Sequence, residues 1–171
     1  MSTEENEKKE SVWTEWWQAL RKDRAGRAEL RRCGTVAEAA FCEPFHSLRS
    51  RMRNPTNDLK LKRLGLVAVV LAHVDDDVSG EKNLAKMMAK PDGDKAIVSD
   101  VRFRQILRCD DQDLDELLRD LVRVIRQLNG AAPVEQLGWD LWKWNDDQTR
   151  REWALHYYER APLERKSRHN D

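Results

Sequence analysis

The chain has 171 residues, enough for one ordinary domain with a sizeable core. Its 31 basic and 31 acidic side chains cancel, which argues against a protein that coats nucleic acid by bulk charge. The charge is nevertheless sorted along the sequence. Residues 21–63 hold twelve Lys and Arg against five Asp and Glu, whereas residues 64–147 hold eleven against seventeen.

Cysteine usage and the N-terminal sequence predict a cytoplasmic protein. The three cysteines are odd in number and lack a CxxC spacing, which is typical of reduced thiols; they are Cys33, Cys42 and Cys109. Residues 1–10 are polar, lack the hydrophobic core of a signal peptide and are expected to be disordered. The longest apolar run, residues 65–72, is too short to span a bilayer, so we expect no membrane partner.

Two short helices are predicted at the start of the chain. The first begins near Ser11 and carries an apolar face that we interpret as buried rather than as a base-stacking surface. That face consists of Trp13, Trp16, Trp17 and Leu20. The second helix, capped by Asp23, has a basic face that is either solvated or turned toward phosphates. This basic face holds Arg24, Arg27 and Arg31.

A helix over residues 57–78 is predicted to be the buried centre of a bundle, because it becomes apolar all round. Asp75–Asp77 end it. Consecutive helical side chains point about 100° apart and do not converge on one ion unless the segment is a loop, so no metal site is expected there. The turn signals of Pro91–Asp94 mark the boundary between two lobes. The expected lobes and tail cover residues 11–90, 91–160 and 161–171.

The most regular pattern lies between Ser99 and Gly130 and predicts two helices joined at Asp110. The second helix has one leucine-rich face, and its polar face carries a stripe of arginines spaced four and three residues apart. The stripe is Arg119, Arg123 and Arg126. The first helix adds the i,i+4 pair Arg104 and Arg108, with Arg102 nearby. This pattern indicates a helix that packs on one side and offers arginines on the other.

Two tryptophan-rich helices complete the chain. The helix that opens at Pro133 has one apolar face, made of Val134, Leu137, Leu141 and Trp144. Trp139 and Trp142 fall off that face, which a partner surface or packing between lobes would explain. The last helix begins at Asp146-Asp147, and the pair Arg150-Arg151 precedes Trp153 within it.

The sequence offers no constellation of residues for catalysis. It has no Gly-rich phosphate loop, Walker lysine or nucleophile elbow. Cys42 and His46 are a lone pair of possible ligands where zinc needs four, and His73 is predicted to be a core histidine. We therefore expect a protein that is not an enzyme and needs no cofactor. The expected fold is all-α, a helical bundle of two packed lobes.

Several segments together resemble the CasB family, the small subunit of the type I-E CRISPR surveillance complex, Cascade. They are RFRQILRC, DELLRDLVRVIRQL and QLGWDLWKWNDDQTRREWALHYY. The earlier segment WWQALRKDRAGRAELRRC is similar to the family's opening helix and the Arg-rich segment that follows it. The resemblance covers residues 11–160.

The resemblance implies a non-catalytic, all-helical subunit of the cytoplasm, present as a dimer on the inner face of the backbone that carries the CRISPR RNA. It implies contacts with the large subunit and the backbone subunits. It also implies a basic surface that holds the separated target DNA strands of an R-loop without reading their sequence. By position, the implied contact residues are Arg27, Arg102, Arg104, Arg108, Arg119, Arg123, Arg126, Arg150 and Arg151.

Two other functions remain open. A free-standing helical regulator would need base-reading side chains on a recognition helix, whereas the polar face of residues 111–128 offers mainly arginines and acids. Sequence preference among duplexes would favour this regulator. A protein–protein adaptor would use the same arginines for salt bridges to an acidic partner. In that case DNA binding would not depend on the arginine stripe.

Overall fold

The computed structural model describes residues 11–81 and 83–162, and helices dominate these residues. The α-helices are α1 (Val12–Lys22), α2 (Arg24–Arg32), α3 (Glu43–Arg51), α4 (Asp58–Ala72), α5 (Leu84–Met88), α6 (Asp100–Arg108), α7 (Leu114–Gln127), α8 (Val134–Trp142) and α9 (Asp147–Arg160). A 3₁₀ helix, Ala37–Phe41, lies between α2 and α3. The all-α prediction is confirmed. Residues 1–10 and most of the expected tail lie outside the described residues, and the division into two lobes stays a prediction.

Two pairs of very short strands join parts of the chain that are distant in sequence or form a tight turn. Strand β1 (Asp76–Asp77) runs parallel to β4 (Ala131–Ala132), and β2 (Pro91–Asp92) runs antiparallel to β3 (Lys95–Ala96). The β1–β4 pair fastens the segment after α4 to the segment after α7. Within the described ranges, none of the helices has the length and apolar character needed to cross a membrane.

Helix α4 is the centre of the bundle, as its sequence predicts. Every residue from Arg63 to Ala72 is buried, and α1, α2, α3, the 3₁₀ helix, α7 and α8 all pack against it. Gly65 allows the closest of these approaches. A Cβ atom built there would lie 2.2 Å from the carbonyl oxygen of Val36, so a side chain at this position would push the 3₁₀ segment away.

The predicted extension of this helix to residue 78 is wrong, because α4 ends at Ala72. The chain beyond it turns toward the end of α7, where the N–H groups of Asp75 and Asp76 donate to the carbonyl of Gly130 at 2.8 and 3.1 Å. Side-chain carboxylates of the acidic run are also used locally, since Asp77 accepts from the N–H of Val134 at 3.1 Å. These long-range partners end the helix.

The tryptophan face of α1 is buried, which confirms its prediction as core. Trp16 and Trp17 donate their indole N–H groups to the carbonyls of Pro44 and Val74, at 2.9 and 3.1 Å. Trp13 packs against α8. A Cβ atom at Gly138 would lie 2.3 Å from the ring of Trp13.

The neighbours of Trp13 account for the two tryptophans that leave the apolar face of α8. Trp139 meets its ring edge-on, with centroids 5.5 Å apart, and the ring of Trp142 lies 6.3 Å away. Of the two explanations for Trp139 and Trp142, packing within the molecule is the one observed.

Candidate nucleic-acid interface

The arginine stripe on α7 lies on the exposed side of a helix whose other side is fully used by the core. Leu114, Leu117, Leu118, Leu121, Val124 and Ile125 are buried. Arg119, Arg123 and Arg126 are all exposed. In residues 11–81 and 83–162, none of these three guanidinium groups forms an ion pair or a side-chain hydrogen bond. They are therefore available for an external anion.

Helix α2 brings a further arginine near the C-terminal end of this stripe. His73, at the end of α4, is buried, and its pKa is lowered to about 4, first by burial and then by the positive charges of Arg31, Arg126 and Arg27. Arg31 of α2 and Arg126 of α7 therefore lie close enough to one imidazole to act on it together. We call Arg31, Arg119, Arg123 and Arg126 the α2–α7 face.

Arg31 was not among the nine arginines implied by the resemblance. Its only sequence signal is its position one helical turn after Arg27, on the basic face of α2. Nothing in the sequence indicates that this face meets α7, because the contact is made through the end of α4. Arg31 is exposed and forms no ion pair with any residue that the structure describes.

Arg27 is engaged by the protein itself. Its guanidinium donates to the carbonyl oxygens of Ala72 and Val74 at 3.0 and 3.3 Å and pairs with Asp75 at 2.5 Å. These carbonyls belong to the end of α4, where free carbonyls and the helix dipole favour a cation. Arg27 therefore fastens α2 to α4 and holds Arg31 in position. Its role as a contact to nucleic acid stays a prediction.

Helices α6 and α9 carry a second group of the predicted arginines. The two helices lie antiparallel, since the Tyr158 hydroxyl donates to Asp100 at one end and the Trp144 indole donates to the carbonyl of Cys109 at the other. Along this pair lie Arg104, Arg108, Arg150 and Arg151, which we call the α6–α9 face.

The arginines of the α6–α9 face differ in their partners. Arg104 pairs with Asp100 at 3.0 Å, and Arg150 pairs with Asp147. Arg108 and Arg151 are exposed, and neither has an ion-pair partner among the described residues. Arg102 points elsewhere. It donates to the side chain of Gln127 at 3.0 Å and so connects α6 to the end of α7.

The described residues contain no group of three or more His, Cys, Asp or Glu side chains arranged to hold a metal ion. The possible ligands Cys42 and His46 turn to other partners. The sulfur of Cys42 lies 3.7 Å from that of Cys33, and Nε2 of His46 lies 2.7 Å from the carbonyl of Ala40.

A group of acidic side chains lines a cavity of about 430 Å³ between β1, α8 and α9. Its lining includes Asp77, Glu81, Glu135 and Glu152 together with His156.

Comparison with known proteins bears on what this surface is for. Residues 26–158 match a family model described as CRISPR-associated protein Cse2, and this segment contains all nine arginines implied by the resemblance. Among solved structures, the crystal structure of CasB from Thermus thermophilus matches with a TM-score of 0.63 and 22% sequence identity. The match covers 93% of this chain and 99% of that one, and indicates a shared fold. The comparison with curated proteins gives no match.

Proposed function

Because the chain belongs to the Cse2 family of CRISPR-associated proteins, whose members are subunits of type I-E Cascade, we propose that it binds the separated DNA strands of an R-loop within that complex. The proposal includes two copies per complex, contacts with the large and backbone subunits, and a cytoplasmic location. In this role the protein catalyses no reaction. It lowers the free energy of the open R-loop by binding phosphates.

The observation that carries the proposal is the α7 stripe, three exposed arginines without partners among the residues described. Arginine suits phosphate because its planar guanidinium donates two parallel hydrogen bonds and remains charged at every physiological pH. Arg31, on a second helix, lies with Arg126 near His73. A surface with this spacing follows a phosphate backbone and does not need to read bases.

Such a surface is sufficient in an RNA-guided complex because base pairing between guide and target reads the sequence. R-loop formation is close to balanced in free energy, so a few backbone contacts change the equilibrium appreciably. The neutral total charge of the chain suits this role, since it limits binding to unrelated DNA outside the complex.

The first test is to purify the tagged protein from its own host and analyse what accompanies it. We expect several larger subunits and a short RNA of uniform length. A lone protein, or one with RNA of mixed lengths, would contradict membership of a guide-carrying complex and leave the regulator and the adaptor as explanations.

The second test addresses the arginines within the purified complex. Charge reversal by Arg119→Glu should reduce R-loop stability on every target sequence, because the contact is to phosphate. Arg51→Glu on α3 is the matched control, since Arg51 is an exposed arginine outside both faces and pairs with Glu15. Full R-loop stability in the Arg119 variant would contradict the proposed strand-binding role of α7.

A further inference from the structure

Exposed apolar side chains are concentrated on the α6–α9 face. Among the described residues, the large hydrophobic side chains with high exposure are Phe41, Val101, Leu155 and Tyr158, at 88%, 60%, 63% and 42%. The last three lie on α6 and α9. On α9, Leu155 and Tyr158 follow Arg151 by one and two helical turns, and on α6, Val101 precedes Arg104 and Arg108 at the same kind of spacing.

Tyr158 is held in a fixed orientation at the seam between the two helices. Its hydroxyl donates to Asp100, and Asp100 is also paired with Arg104 at 3.0 Å. Its ring contacts Phe103 and Tyr157 edge-on, with centroids 5.9 and 5.1 Å apart. Burial and the Asp100 carboxylate raise the pKa of Tyr158 to about 12, so the hydroxyl stays protonated and keeps donating. The ring is therefore preorganised while partly exposed.

The combination of side chains on this face indicates one kind of ligand. Arg108 and Arg151 supply unpaired positive charge, and the charge of Asp100 is offset by Arg104. A duplex hides the faces of its bases, so it would leave an exposed tyrosine and leucine unused. A single strand presents both phosphates and base faces, and stacking on aromatic rings is independent of sequence.

On the side of α9 that faces away from α6, acidic residues would repel an anionic ligand. Glu152 lines the acidic cavity, and Glu159 lies near His156, with 3.9 Å between the carboxylate and Nδ1. An anionic strand is therefore favoured only on the side of α9 that faces α6.

We infer that the α6–α9 face binds a single-stranded segment of nucleic acid, with phosphates at Arg108 and Arg151 and a base on Tyr158 beside Leu155. This inference rests on the proposed strand-binding function. It adds that the strand on this face is unpaired and that a base, as well as the backbone, is contacted.

The test compares two oligonucleotides that differ only in their bases. One is an oligothymidylate of about 16 nucleotides, and the other has the same length and charge but is abasic throughout. Binding to the full chain is measured at low ionic strength by fluorescence anisotropy. We expect about tenfold weaker binding of the abasic strand, the loss of one stacked base. A duplex of the same length should also bind less tightly than the thymidylate strand.

The variants Tyr158→Ala and Phe41→Ala form a matched pair. Both remove an exposed aromatic ring, but Phe41 lies on the 3₁₀ helix, outside the α6–α9 face. Tyr158→Ala should abolish the preference for the strand with bases, and Phe41→Ala should leave it unchanged. Circular dichroism and thermal unfolding establish that both variants are folded.

The other outcomes distinguish the base contact from the phosphate contacts. Equal affinity for both oligonucleotides in the unmodified protein would overturn the base contact and leave phosphate binding in place. If Tyr158→Ala instead prevents incorporation into the complex and preserves the preference for bases, the face docks a protein and the inference is wrong. If neither oligonucleotide binds the full chain, the inference is wrong, whereas the strand-binding function is decided separately by the R-loop stability of the Arg119→Glu complex.

Discussion

The α2–α7 face and the α6–α9 face both present arginines, yet their surroundings differ. On α7, the arginines have no partner in the part of the chain that the structure describes, and the apolar residues of the helix are in the core. On α6 and α9, Arg104 and Arg150 are paired with carboxylates, and exposed apolar side chains lie on the same two helices. The first face offers charge alone, whereas the second combines charge with surface that water solvates poorly.

A count of arginines alone therefore does not describe a binding surface. An exposed ion pair contributes little to stability, but a guanidinium that already has a carboxylate partner must exchange it to bind phosphate. We therefore expect the unpaired arginines to dominate affinity and its dependence on salt. The face with apolar side chains should determine which form of nucleic acid is preferred.

The largest expected effect comes from removing the α7 stripe. The triple substitution of Arg119, Arg123 and Arg126 by alanine should weaken binding of single-stranded DNA about a hundredfold at moderate salt and reduce the salt slope by about 2. Arg150→Ala should change the slope much less, because Arg150 is paired with Asp147. Titrations at several salt concentrations measure both quantities, and equal slopes for the two variants would contradict the comparison.

A glycine substitution tests the close packing of α4 against the segment that follows α2. Gly65→Ala should lower the free energy of unfolding by about 2 kcal/mol, because its Cβ would lie 2.2 Å from the Val36 carbonyl and displace the segment after α2. Gly34→Ala is the control, since a Cβ there meets nothing within 4 Å. Chemical denaturation measures the difference. An unchanged preference for thymidylate over the abasic strand is expected, because Tyr158 is not displaced.

The buried groups near the two faces should respond to pH in opposite directions. Burial raises the pKa of Asp140 to about 6. The hydrogen bonds that Trp153 and Gln136 donate to this carboxylate, at 2.9 and 2.8 Å, lower the pKa and only partly offset the effect of burial. The folded state therefore binds this proton more tightly than the unfolded chain, and stability falls as the pH rises from about 4 to about 6. For His73, whose pKa is lowered to about 4, stability rises between that pH and about 6.5.

Asp140→Asn isolates the first of these contributions. The amide keeps an acceptor for Trp153 but does not titrate, so the variant should lose the decrease in stability and gain of the order of 1–2 kcal/mol at pH 7. Urea unfolding from pH 4 to 8 measures the effect. The same pH profile in the variant as in the unmodified protein would show that Asp140 is not the group responsible.

The smallest expected effect reports directly on the junction of α2 and α7. Arg126→Ala should raise the pKa of His73, because one of the positive charges that oppose its protonation is removed. Arg104→Ala should leave it unchanged, since Arg104 is not among the groups that act on His73. Nuclear magnetic resonance titration of the imidazole measures both, and a shift of equal size in the two variants would contradict the assigned junction.

Much of the fold follows from local patterns in the sequence. The spacing of apolar residues identifies the buried face of α7, and Asp23 caps α2 as expected by accepting from the N–H of Gly26 at 3.0 Å. Thr35 likewise accepts from the N–H of Glu38 at the start of the 3₁₀ helix. These features depend on residues within a few positions of one another, which a single sequence displays directly.

The features that sequence reasoning missed depend on distant partners. The end of α4 at Ala72 depends on Arg27 and on Gly130, and neither is near it in sequence. The convergence of Arg31 with Arg126 requires knowing which helices α4 brings together. Ser11 precedes the first helix as predicted, yet its hydroxyl donates to Glu15 at 3.1 Å and does not cap the backbone.

The contact between Trp13 and Gly138 has a consequence for synthesis of the protein on the ribosome. Helix α1 emerges first, but the surface that covers the ring of Trp13 belongs to α8 and is made more than a hundred residues later. Until then the nascent chain exposes that indole, because α8 has not yet been made and cannot pack against α1. Newly made chains should therefore engage chaperones through α1, and release should follow the appearance of α8.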